Sequence, residues 1–207
     1  MELVADQLTK RFRRHVLFRE LSFRVQPGHP LAITGSNGSG KSTLVKILAG
    51  VLRPTKGRVH LSVNGSLLSP TEHPLNVGLV APYFQVYEGL SPRENLLFIA
   101  KARGLPNAHT RLDHLLDQVQ LAHRSRDLVK TFSSGMKQRV RFAVALLADP
   151  PLLLLDEPTS NLDEVGREMV HHFITQQRDA GRLLVIATND PADTAHCTEC
   201  IHVEDHR

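Results

Sequence analysis

Three short stretches of this 207-residue chain hold residue types that can do chemistry at their spacing. The first is Gly35-Ser36-Asn37-Gly38-Ser39-Gly40-Lys41-Ser42-Thr43. It fits the phosphate-binding P-loop pattern G-x-x-x-x-G-K-[ST] at every fixed position. Glycines let a backbone wrap closely around a polyphosphate, because a Cβ would obstruct the approach. The loop's N–H groups then converge as an anion nest, and a helix starting there adds its positive end. In this reading Lys41 reaches the β- and γ-phosphates and Ser42 ligates Mg²⁺ through its hydroxyl. The Thr43 hydroxyl touches the α-phosphate. The bland alternative is a Gly/Ser-rich turn.

The second stretch is Asp156-Glu157-Pro158, directly after the apolar run Leu152-Leu153-Leu154-Leu155. Acidic groups at the carboxyl end of a buried strand lie where α/β folds bind ligands. Asp156 is placed to hold Mg²⁺ through a water. Glu157 is placed to polarise an attacking water, as general base or as positioner. A helix cap is the alternative for this pair. The third stretch, Phe132-Ser133-Ser134-Gly135-Met136-Lys137-Gln138-Arg139, precedes a helical pattern. Ser and Gly there make a second anion-binding helix end, a weak signal taken alone.

These groups need elements to carry them. Pro30–Thr34 reads as a buried strand running into the P-loop, and Leu44–Gly50 as the helix leaving it. Leu3–Leu8 and Leu21–Val25 read as strands, the second ended by Pro27-Gly28. Gly57–Val63 alternates as a strand, Gly65–Asn76 is a loop, and Asn76–Val80 is a short apolar strand. Ser91–Ala148 is helical in pattern. Ser91-Pro92-Arg93-Glu94 opens it with an N-cap, a first-position proline and a glutamate three residues on. Helices are expected to Arg103, over His109–Val119 and over Ser134–Ala148. Glu164–Ala180 is a further helix, and Arg182–Thr188 and Ile201–Val203 are further strands. Strands alternating with helices around a phosphate loop predict an α/β fold with a mostly parallel sheet. The expected organisation is one domain over 1–207, with a core lobe of about 1–85 and 150–207 and an inserted helical subdomain of about 86–149.

Composition bounds the function. Hydrophobic content is 41% and charged content 22%, as in soluble globular proteins. No apolar run approaches the roughly 20 residues that span a bilayer, and the first residues are no secretory signal. A cytoplasmic protein is expected. Net charge is +4, with the basic residues read as spread over a solvated surface. Their one cluster, Lys10-Arg11-Phe12-Arg13-Arg14, is placed in an early turn. His171-His172 falls on a helix without ligand-like partners nearby. Cys197 and Cys200 have a zinc-like spacing but no second pair, so reduced thiols beside a C-terminal strand are the preferred reading. A structural disulfide is not expected in a reducing compartment.

In order and spacing these motifs resemble the ATP-binding subunits of ABC transporters over essentially the whole chain. The resemblance makes Gly35–Thr43 Walker A, Leu152–Glu157 Walker B with its catalytic glutamate, and Phe132–Met136 a divergent L-S-G-G-Q signature. Ser160-Asn161-Leu162-Asp163 becomes the D-loop. It implies that Phe12 stacks on adenine and that ATP and Mg²⁺ are the cofactors. It implies a head-to-tail homodimer, or a pair with a related ATPase subunit, around two ATP. Ser133 and Gly135 of one subunit would face the other's γ-phosphate. It also implies an integral membrane permease as partner, peripheral attachment at the inner face of the cell membrane, and no nucleic acid. The run Ile33–Leu44 and the short length are similar to the haem-exporter subunits of cytochrome c maturation.

Two departures from the family pattern bear on catalysis. Asn189 stands where a switch histidine is usual; it can hydrogen-bond a phosphate oxygen but carries no positive charge. Pro82 stands where the loop after Asn76–Val80 usually has glutamine, and Gln85 is the nearest substitute. Besides a transport ATPase, the family includes ribosome- or DNA-directed ABC proteins, and a non-hydrolysing nucleotide-gated scaffold is a further alternative. The first of these usually needs tandem cassettes or long insertions, and the retained Lys41, Asp156 and Glu157 argue against the second.

Overall fold

Leu152–Asp156 (β7) is buried at every residue, because both faces of its sheet are covered. The computed structural model describes residues 1–106 and 108–207. β7 lies in a five-stranded parallel sheet with Val77–Val80 (β6), Leu183–Ala187 (β8), Leu31–Thr34 (β3) and Glu199–His202 (β9), in the order β6-β7-β8-β3-β9. Alternation splits β7 between two cores. Leu153 and Leu155 pack with helices on one side, while Leu152 and Leu154 pack on the other side against the P-loop helix and a second sheet. That second sheet is antiparallel, ordered β2-β1-β4-β5: His15–Val25 (β2), Glu2–Phe12 (β1), Lys56–Val63 (β4) and Ser66–Leu67 (β5). The expected α/β architecture, with a parallel core and an antiparallel N-terminal portion, is borne out.

The first two strands are longer than their alternation suggested. β1 and β2 pair through three register shifts, with Gln7 and Glu20 at positive φ. Each bulge breaks the two-residue period that sequence reading depends on. Lys10, Arg11 and Phe12 therefore belong to β1, and only Arg13-Arg14 form the turn, which corrects the placement of the basic cluster. The segment read as the loop Gly65–Asn76 also contains β5 and a 3-10 turn, His73–Asn76.

Among the described residues, three α-helices lie between β6 and β7: Pro92–Ala102 (α2), Ala108–Gln118 (α3) and Ser134–Leu146 (α4). The capping box of α2 forms as read: Ser91 Oγ accepts from Glu94 N–H, and Glu94 Oε2 accepts from Ser91 N–H at 2.8 Å. Lys41–Leu48 (α1) follows the P-loop, and Glu164–Asp179 (α5) and Pro191–Thr194 (α6) flank β8.

The tightest approach in the core is Gly78 on β6. A Cβ there would lie 2.5 Å from the Ala145 carbonyl oxygen and 2.6 Å from Leu153 Cδ2. Backbone cannot yield as a side-chain tip can. Gly78→Ala should therefore destabilise the fold by roughly 3 kcal/mol, read as a lowered midpoint in a urea titration at unchanged slope.

Candidate functional site

β3 ends at Thr34, and the chain crosses to α1 through Gly35, Gly38 and Gly40, all at positive φ. At Gly35 the requirement is double, because a Cβ would also meet Ser39 Oγ at 2.8 Å. Gly40 caps α1 without a side-chain hydrogen bond. The N–H groups of the helix's first turn, at Lys41, Ser42 and Thr43, thus remain as donors for a ligand. Phe12, Leu17, Asn37, Gly38, Gly40, Lys41, Ser42, Thr43 and Glu157 line one 430 Å³ cavity, within the range of small-molecule clefts. Phe12 is half exposed at its rim, with Lys10 Nζ 4.7 Å from its ring centre.

Lys41 is buried. Its Nζ donates to the Gly35 carbonyl at 2.7 Å and lies 3.5 Å from Glu157 Oε1. The chain turns sharply after β7: Glu157 has φ 48, and its N–H donates to the Ala187 carbonyl at 2.7 Å. That turn aims the Glu157 carboxyl at Lys41 rather than into the sheet. Burial raises the Glu157 pKa, while the Lys41 charge works against that rise.

Asp156 is 1% exposed, and neither carboxylate oxygen has a hydrogen-bond partner among the described residues. Burial raises its pKa. The Ser42 hydroxyl and the Lys41 ammonium approach closely enough to oppose that rise, without closing a hydrogen bond of ordinary geometry. A buried carboxylate left without donors is costly. Its two free oxygens beside the Ser42 hydroxyl form a hard oxygen donor set that suits Mg²⁺. Ser39 Oγ is likewise buried without a partner.

Asn189 follows β8, and its Oδ1 accepts from Gly35 N–H at 3.3 Å. It thus reaches the first residue of the P-loop. Ser133, by contrast, is exposed and caps α4, accepting from Met136 N–H at 3.3 Å. Neither Ser133 nor Gly135 lines the cavity of this single chain. Gln85 is exposed and outside the cavity as well. From its loop it is Tyr83 that approaches the site: Lys46 Nζ stands 4.1 Å from the Tyr83 ring centre, and burial and the nearby Asp156 carboxylate raise the phenol's pKa.

Two groups at the site lie outside every motif. Glu204 accepts from Ser36 Oγ at 2.5 Å and from Ser36 N–H at 3.2 Å, bracing the P-loop from beyond β9. Asp193 on α6 is fully buried. It accepts from Thr159 Oγ1 at 2.9 Å and Thr188 Oγ1 at 2.8 Å, and pairs with His171 Nε2 at 2.9 Å. His171 also lies against His196, with ring centres 4.9 Å apart and the rings tilted by 42°. Apart from Thr188, five positions from Asp193, these contacts join residues more than 20 positions apart and leave no signal in a linear pattern. Burial pushes the Cys197 thiol up to about 12. Among the described residues no group of three or more His, Cys, Asp or Glu could hold a metal ion.

Comparison with known proteins agrees with this geometry. The family described as "ABC transporter" matches residues 18–160. The bacitracin transport ATP-binding protein BcrA of Bacillus licheniformis is 36% identical over 174 residues, 82% of this chain and 56% of that protein. The daunorubicin resistance ATP-binding protein DrrA3 of Streptomyces coeruleorubidus is 31% identical over 205 residues, 98% of this chain and 65% of that one. This chain thus spans less than two thirds of either relative. A solved structure of an ATP-binding subunit of an ABC transporter superposes with a TM-score of 0.84 at 28% identity, covering 98% of this chain and 85% of that one. The chain therefore belongs to the ABC transporter family.

Proposed function

We propose that this chain binds and hydrolyses Mg-ATP to drive a membrane permease. The observation that carries the reading is Asp156, a buried carboxylate with two unpartnered oxygens beside Ser42 and the Lys41–Glu157 pair. Asp156 and Ser42 would hold the metal, which neutralises charge on the phosphates when bound. Lys41 and the free N–H groups of α1 hold the phosphates, Phe12 supplies a face for adenine, and Glu157 orients or deprotonates the attacking water. Ser133 and Gly135 stand on an exposed helix end outside the cavity, so the site is completed by a second copy or a related subunit, packed head to tail. Among the described residues no helix is long and apolar enough to cross a membrane. The partner in this reading is a membrane permease, as the family resemblance implies, with this chain peripheral to it at the inner face. For cargo, the names of BcrA and DrrA3, bacitracin transport and daunorubicin resistance, favour a compound of that kind over the haem suggested by Ile33–Leu44.

The test is phosphate release from purified protein with Mg-ATP. Slow turnover that rises more than linearly with protein concentration is expected. Binding of ATP without release, both alone and with a co-expressed permease, would instead favour the nucleotide-gated scaffold. Asn189→His should raise the rate by roughly tenfold, the worth of one charge-assisted hydrogen bond of about 1.4 kcal/mol in the transition state. An unchanged or lower rate in the same assay means that the Asn189–Gly35 contact matters more than a charge there.

A further inference from the structure

The basic residues are not spread evenly. Residues 1–63 hold 11 of the 25 Lys and Arg but only 3 of the 21 Asp and Glu, while the rest of the chain is net acidic. Six of these eleven, Lys10, Arg11, Arg19, Arg24, Lys56 and Arg58, lie on strands of the antiparallel sheet. The bulge at Gln7 flips the alternation of β1, so that Gln7, Thr9 and Arg11 lie on its outer face, away from the core that takes Leu3, Ala5 and Leu8. Lys56 on β4 pairs in register with Thr9. Arg19 on β2 lies between Phe18, opposite Lys10, and Leu21, opposite Leu8. Arg19 and Lys56 therefore flank Thr9 from two sides, with backbones roughly 10 Å apart at ordinary strand spacing.

These side chains line a 590 Å³ groove, larger than the P-loop cavity. Its floor is shaped by the bulges at Gln7 and Glu20 and by Gly57, where a Cβ would lie 2.4 Å from the carbonyl oxygens of Asp6 and Gln7. Arg11, Arg19 and Lys56 are exposed, and none forms an ion pair among the described residues, whereas Arg93, Arg124, Arg167 and Arg182 elsewhere all do. Glu20 is the single acid in the lining. Thr9 Oγ1 accepts from Glu20 N–H at 3.1 Å, which leaves its proton free to donate.

We propose that this groove is a second anion site, separate from the P-loop, which takes a multiply charged phosphate group. Three cations against one carboxylate match a dianion or trianion better than a single carboxylate, and Arg forks bind phosphate through two parallel hydrogen bonds. No aromatic ring lines the groove to stack on a base, which sets single-stranded nucleic acid aside. The phosphate belongs either to a free polyphosphate or to an anionic lipid headgroup.

The experiment uses protein whose P-loop is saturated with ADP. Inorganic pyrophosphate is titrated in by calorimetry, and vesicles of phosphatidylglycerol and phosphatidylcholine are tested by flotation against phosphatidylcholine alone. Wild type is expected to bind one of the two probes, and which one identifies the source. Arg19→Glu/Lys56→Glu should weaken that binding at least tenfold with ADP affinity unchanged; Arg19→Gln/Lys56→Gln serves if the reversal fails to fold. Lys101→Glu/Arg126→Glu, equal in charge but elsewhere on the surface, should leave it within twofold. Equal losses in both pairs, or no binding of either probe by wild type, overturn the proposal.

Discussion

Glu157→Gln is expected to cut phosphate release by a hundredfold to ten-thousandfold while ATP binding stays within a few fold of wild type. The range is that of a lost general base or water-positioning group. The argument turns on which of two adjacent carboxyls faces the reacting atoms. Asp156 is inside, 1% exposed, with free oxygens beside Ser42; its geometry suits a cation. The Glu157 side chain is 30% exposed, lines the P-loop cavity and lies 3.5 Å from Lys41. Burial holds its pKa above the ordinary carboxylate value, which makes it a better proton acceptor than a surface glutamate. Glutamine keeps the length and the left-handed backbone at φ 48 but cannot accept a proton as a carboxylate does. Lys41 keeps its bond to the Gly35 carbonyl, so the phosphate cradle persists. Single-turnover phosphate release and nucleotide binding, measured on the same preparation, separate the two effects. Turnover above one tenth of wild type would move the water-activating role elsewhere.

Much of this site was legible because its chemistry is local. Gly35 to Thr43 and Asp156-Glu157 each sit within one turn of chain, and residue type with spacing specifies their conformation. The parallel sheet was legible for a related reason: Leu152–Leu155 and Leu183–Ala187 are apolar at every position, which only a doubly covered strand tolerates. The antiparallel strands were cut short because bulges near Gln7 and Glu20 interrupt alternation, and nothing in a one-dimensional pattern marks a bulge at a non-glycine residue. The charge on that sheet went unread for the same reason. Arg11, Arg19 and Lys56 are dispersed in sequence and become neighbours only when three strands pair. Tyr83 and Glu204 were invisible because their partners, Lys46 and Ser36, come from other elements. The same holds for Asp193, whose role is clear only once three segments meet.

Asp193→Ala should destabilise the protein by roughly 3–5 kcal/mol and slow phosphate release beyond what the unfolded fraction explains. The carboxylate is 0% exposed and is held by three donors from three elements: Thr159 after β7, Thr188 after β8 and His171 on α5. Removing it leaves the protons of two buried hydroxyls without an acceptor, each at roughly 1–3 kcal/mol, although Thr188 Oγ1 still accepts from Asp190 N–H, and it leaves His171 without its carboxylate. Arg167 pairs with neighbouring Asp190, but that contact lies nearer the surface and cannot receive the hydroxyls. The catalytic effect follows from sequence distance. Thr159 is two residues from Glu157, and Thr188 is beside Asn189, so one carboxylate fixes both the acidic turn and the residue that reaches Gly35. Asp193→Asn isolates this second effect. It keeps the shape and one acceptor, and the hydroxyls can rotate to accept from its amide. Its stability loss should be smaller, about 2 kcal/mol, while turnover still falls because the two turns are no longer held by the same charged group. Urea midpoints and single-turnover rates on both variants test the distinction. If Asp193→Asn lowers stability but releases phosphate at the wild-type rate, Asp193 supports the fold alone and the two turns are positioned by their own backbone contacts.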